Sequence, residues 1–144
     1  MSQFKTDKNK LSVWKVESES DLNDAFVALA SSADNVGTIC AAKISPEDVE
    51  SLNVYDEEGD TPTFGINHKH CSITDLNYCT LGTVILSILN CLQDYDNRVV
   101  TKTRSSIKSL LVNAYYQKKI DMNNISDSVR NEIFKEICKI QISN

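Results

Sequence analysis

His68, Lys69, His70 and Cys71 stand in a row, and Cys79 follows eight residues after Cys71. Imidazole and thiolate are zinc ligands, and four of them can close a tetrahedral structural site. In an extended chain His68 and His70 would project to the same side, which suits two ligands. The spacing matches no zinc finger, however, and Cys79 falls on an expected helix that would turn it toward the core. Small buried thiols are ordinary packing groups. The pattern therefore reads as a polar loop beside structural cysteines, with no cofactor. His68, His70 and Cys71 are the residues a metal would take if one bound.

A thiol nucleophile is the second chemistry these residues raise. Cys71 follows His70 directly and precedes the helix start expected at Ser72-Ile73-Thr74-Asp75. A neighbouring imidazole and a helix N-terminus both lower a thiol pKa. Yet the chain has two histidines, both in this loop, so no distant histidine can complete a catalytic pair. Asp56, Glu57, Glu58 and Asp60 surround Gly59 but lack the spacing and terminal Glu of a calcium loop. They read as a solvated turn. The glycines at 37, 59, 65 and 82 are scattered, so no loop cradles phosphate. The absence of a reaction motif predicts a protein that is not an enzyme.

Charge supplies the third chemistry. Twelve acidic residues and a single basic one, Lys43, lie between Glu17 and Asp60. Six basic residues and no acidic ones lie between Asn97 and Ile120. The two regions must either present opposite faces or pair with each other. Residues 98–119 read as one helix in which Val100, Ile107, Leu110, Leu111 and Ala114 share an arc. At about 100° per residue, Arg98, Lys102, Lys108 and Lys119 fall on the opposite side, with Arg104 at the border. Such a stripe could follow a phosphate backbone, and Tyr115 and Tyr116 would add stacking surface. Nucleic-acid modules are usually basic, whereas this chain has net charge −5. The expected function is thus a non-enzymatic protein–protein interaction module: an adaptor, inhibitor or regulatory subunit, able to self-associate. The alternative is a nucleic-acid-associated protein using the basic helix 98–119.

The elements that must position these residues come next. The 144 residues are close to the commonest size of one domain. With 41% apolar residues but four Gly and two Pro, the chain suits neither disorder nor a many-turned sandwich. Residues 1–10 read as a flexible start with no apolar segment behind it, so no secretory signal is expected. Five widely spaced cysteines are no disulfide framework, which predicts a reducing, cytoplasmic setting.

Strands are expected over 11–17, 37–44 and 53–55, with 63–66 returning as a hairpin partner of the last. Ser18 and Asp21 predict the start of a short helix over 21–32 carrying Leu22, Phe26 and Leu29 on one face. Ser45-Pro46-Glu47-Asp48 predicts another, ending near Leu52. Leu76 to Gln93 carries no charge, and eleven of its eighteen residues are apolar. Interrupting Asn, Thr, Ser and Gln make it a buried core helix rather than a membrane span. Gly82 inside it would mark a close helix–helix contact. A last helix over 126–140 would bury Val129, Ile133, Ile137 and Ile140. The fold expected is α+β: one compact domain, 11–144, with a mixed strand/helix part (11–67) packed on a three-helix part (72–141).

Overall fold

A computed structural model describes residues 9–142. The expectation of a flexible start lies, for residues 1–8, outside the described residues. Asn9 and Lys10 are tied down: Leu76 N–H donates to Asn9 O at 3.1 Å, and Lys10 pairs with Glu57 at 3.2 Å.

Helix α1 (Glu19–Ser31) begins where its cap predicts. Ser18 Oγ accepts from Asp21 N–H, and the Asp21 carboxylate accepts from Ser18 N–H at 2.9 Å. These bonds satisfy backbone donors that no helical partner reaches. Leu22, Phe26, Val27, Ala28 and Ala30 are buried. Leu29 is exposed, contrary to the expected face, because the small Ala25 and Ala28 turn inward instead. Against α1 pack α4 (Arg104–Tyr116) and, through α4, α5 (Asp127–Ile142). Ile107, Leu111, Val129 and Ile133 complete this main core with Ile66, Ile120 and Ile125. The result is one α+β domain whose C-terminal helices pack on the N-terminal half.

Two small antiparallel sheets flank the helices. One has the order β1 (Leu11–Trp14), β4 (His70–Thr74), β3 (Asn53–Asp56), with Leu11 opposite Ile73 and Val54 opposite the same Ile73. The other pairs β2 (Ile39–Ala42) with β5 (Val99–Lys102), Ile39 opposite Lys102. A second, smaller core of Leu52, Ile73, Leu76 and Val84 lies under helix α2 (Tyr78–Gln93). A four-residue helix α3 (Tyr95–Arg98) joins α2 to β5.

Several expectations are corrected. Ser72 to Asp75 do not start a helix. His70 to Thr74 form the central strand of the larger sheet, Asp75 turns with φ 56°, and Asn77 caps α2. Strand β3 finds its partner in β4, so 63–66 is no hairpin return. Thr63 instead bridges to Ile120. Residues 98–119 are not one helix. The β-branched run Val99-Val100-Thr101 is stiff at χ1 and favours extended backbone, which the free edge of β2 accepts as β5. Thr103 then caps α4, its Oγ1 accepting from Ser106 N–H. Strand β2 alternates between half-buried and exposed residues, because a two-stranded ribbon covers one face only. The segment after Ser45 is a single tight turn of helix, Pro46–Val49.

Candidate functional site

The His68–Cys71 loop does not assemble a site. His68 sits exposed in a helical turn, Asn67–Lys69, while His70 opens β4. The alternation that would have aimed both imidazoles to one side therefore does not apply. His70 lies edge-on to Trp14 at 5.4 Å, with Nδ1 2.8 Å from Glu57 O. Cys71 is buried between Val13 and Asp56 on the flanking strands. Burial pushes its thiol above the ordinary 9.0, against the pull of Lys15 and helped by Asp56. This is the reverse of the activation a nucleophile needs. Cys79 is exposed at the start of α2, not turned to the core as expected. Among the described residues no three His, Cys, Asp or Glu groups converge to hold a metal ion.

The basic residues are spread over several elements and are largely matched by carboxylates. Arg98 ends α3, pairs with Asp48, and donates from Nε to Lys43 O at 3.2 Å. Lys108 pairs with Glu132 of α5, and Arg104 reaches the same carboxylate at 3.4 Å. Lys119 Nζ is 2.9 Å from Asp24 Oδ1. Lys102 lies on β5 and lines a shallow groove of about 500 Å³ with Lys43, Glu17 and Glu19. Tyr115 is half-buried with its ring edge-on to Phe134 at 6.2 Å, and Tyr116 is exposed beside it. No single helix carries the cationic stripe, because β5 breaks the chain at Val99–Lys102. The acidic first half thus supplies partners for Arg98 and Lys119, and α5 supplies the partner for Lys108.

Lys69 joins the same scheme. Its Nζ lies 2.6 Å from Asp21 and 3.0 Å from Asp24, mostly shielded from solvent. The ammonium of Lys69 holds the Asp21 carboxyl well below its usual range, aided by Ser18 and the Glu17 backbone. Asp24 feels burial pushing it up, but Lys119 and Lys69 outweigh that and lower it. The partners are 45 to 95 residues apart, so no local spacing signals the cluster. Its charges face one another, and it ties α1 to the Asn67–Lys69 turn and to the segment after α4.

Helix α2 is different in kind. Its start is well made: Asn77 Oδ1 accepts from Cys79 and Thr80 N–H, and Thr80 Oγ1 accepts from Asn77 N–H. Its inner face is narrow and built of small groups. Val84, Ser87 and Cys91 are buried. Ser87 donates to Thr83 O or Asp48 O, and Cys91 donates to Lys43 O. The large apolar residues point the other way. Tyr78 is 97% exposed, Leu86 62%, and Ile85 and Leu89 each 48%, with Leu81 and Leu92 also exposed. The expectation of a buried core helix is therefore corrected: α2 buries one thin stripe and leaves the broader apolar one bare. At about 100° per residue, Tyr78, Leu81, Ile85, Leu89 and Leu92 fall within about 80° of arc, with Leu86 beside them. Gly82 lies at the edge of this arc, and a Cβ placed there would meet nothing within 4 Å. The sequence held the signal, since apolar residues at i, i+3, i+7, i+11 and i+14 define a face. A second apolar set at 84, 88 and 91 leaves the choice of inward face to the tertiary fold.

No known family model, curated protein or solved structure matches the chain. Among the described residues no helix is long and apolar enough to cross a membrane.

Proposed function

We propose that this chain is a non-enzymatic protein–protein interaction module that receives its partner on the outer face of α2. The observation that carries this reading is the uncharged apolar stripe from Tyr78 to Leu92, bare on a domain that pairs most of its described cations with carboxylates. Soluble monomers rarely leave contiguous apolar patches larger than a few hundred Å² uncovered, and larger ones mark interaction sites. The roles open to such a module are those of an adaptor, inhibitor or regulatory subunit. Five free thiols, Cys71 and Cys91 among them buried, support a reducing, cytoplasmic setting.

The pairing of Arg98, Arg104, Lys108 and Lys119 favours this reading over phosphate binding, since a paired cation must give up its carboxylate to meet a phosphate. The test compares wild-type protein with Ile85→Lys/Leu89→Lys as baits. Retained proteins are identified by mass spectrometry and re-bound from purified components. We expect an identified partner that re-binds wild type and loses at least about tenfold in affinity with the double variant. Equal retention by both baits overturns the proposal. So does tight binding to single-stranded or duplex RNA or DNA that falls steeply with salt and is abolished by Lys102→Glu/Arg104→Glu/Lys108→Glu, because function would then lie on the basic residues.

A further inference from the structure

Resting on that reading of α2, we propose that the partner is a second copy of this chain, with the two α2 helices packed face to face about a two-fold axis. Three observations converge on that occupant. The first is charge. The chain has net charge −5, so two copies carry a net mutual repulsion. Between Asp75 and Asp94 there is no charged residue at all, so α2 is where two acidic copies can touch without setting like charges together. A foreign partner selected by charge complementarity would find nothing there to select it.

The second is area. Tyr78, Leu81, Ile85, Leu86, Leu89 and Leu92 are 97%, 39%, 48%, 62%, 48% and 51% exposed, which for side chains of this size is several hundred Å², of the order of the roughly 800 Å² each partner gives to a standard stable interface. The third is shape. A two-fold contact requires the same patch on both subunits to fit itself. Leu81, Ile85, Leu89 and Leu92 form the kind of i, i+4 and i+3 ridges that interlock with a like helix. Beside that ridge, the missing side chain of Gly82 leaves a gap between Tyr78 and Leu86, open in the isolated chain, into which a residue of the facing helix can settle.

The contact needs no bond chemistry. It is tested with the full chain in reductant, so that the exposed Cys40, Cys79 and Cys138 cannot bridge copies. Sedimentation equilibrium of wild type is expected to give twice the 16.1 kDa chain mass at micromolar concentration, dissociating on dilution. Ile85→Lys/Leu89→Lys is expected to weaken association by more than about 100-fold. Its far-ultraviolet circular dichroism should stay unchanged, because both positions are half exposed. Phe64→Lys, an equally exposed apolar residue outside α2, is expected to leave the dimer intact. A wild type that stays at 16.1 kDa overturns the second copy as partner, while the re-binding experiment above still judges the α2 face on its own. A dimer that survives the double lysine variant, or dissolves with Phe64→Lys, overturns it equally.

Discussion

Cys71 shows how far a side chain's neighbours in sequence can mislead about its neighbours in space. His70 and Cys71 are consecutive residues of a strand, so their side chains leave on opposite faces of the sheet. The imidazole goes to the edge of Trp14, and the thiol goes inward beside its cross-strand neighbour Val13. Burial raises the thiol pKa, and the thiolate is the reactive species. Native protein treated with iodoacetamide at mildly alkaline pH should therefore label Cys40, Cys79 and Cys138 first. Cys71 and Cys91 should react at least about tenfold more slowly, since attack requires local opening. Peptide mapping over a time course measures this, and early labelling of Cys71 would restore thiol chemistry to that loop. The same residue-scale logic separates Tyr115, held edge-on by Phe134, from Tyr116, whose ring is largely in solvent.

At the scale of elements, what the sequence disclosed was local and what it hid was not. The cap of α1 at Ser18 and Asp21, the Pro46 turn, and the buried Val129, Ile133 and Ile137 of α5 were readable, because each depends on residues a few positions apart, whereas Ile140, expected to be buried with them, is exposed near the end of α5. Strands β4 and β5 were not, since β4 owes its form to pairing on both edges with β1 and β3, and β5 to the edge of β2. The ion pairs among Asp21, Asp24, Lys69 and Lys119 were hidden for the same reason. For α2 the helix was legible but its orientation was not, because either of two apolar stripes could have faced inward. Small groups at Val84, Ser87 and Cys91 let the helix lie close on the Pro46–Val49 turn and β2. The bulkier stripe was left outside. Gly82 gives a clean test of the helix itself. With nothing within 4 Å of an added Cβ, Gly82→Ala should stabilise the fold by about 0.5–1 kcal/mol through backbone entropy and helix propensity. Urea denaturation in the Ile85→Lys/Leu89→Lys background measures it free of any association. A loss of stability there would mean that α2 does not stand as described.

The whole molecule is held against pH by the way its charges meet. Asp21, Asp24, Asp48, Glu57 and Glu132 all carry carboxyls lowered from their ordinary values. For Glu132 the main cause is Lys108, followed by a smaller upward push from burial, and the value falls from 4.5 to about 2. A carboxyl lowered in the fold binds its proton more readily in the unfolded chain, so stability rises with pH across the gap. That contribution is fully present above about 4.5 and is lost as pH falls toward about 2. The alkaline side has its own limb. Cys71 is raised above 9.0 by burial, and Lys69 above 10.5 by Asp21 and Asp24. Both favour their protonated forms in the fold, so their contributions are present below those values and are lost as pH rises through them. Unfolding free energy measured by urea titration should accordingly be level from about pH 5 to pH 8.5 and decline on either side. Glu132→Gln should lower stability at neutral pH more than Asp127→Asn, because Glu132 meets Lys108 and Arg104 in a shielded setting while Asp127 is 89% exposed. The same Glu132→Gln variant should also flatten the decline between 4.5 and about 2. If that slope is unchanged in the variant, the α4–α5 pairing is not what the acid limb reports, and the cations of α4 are free to meet another anion.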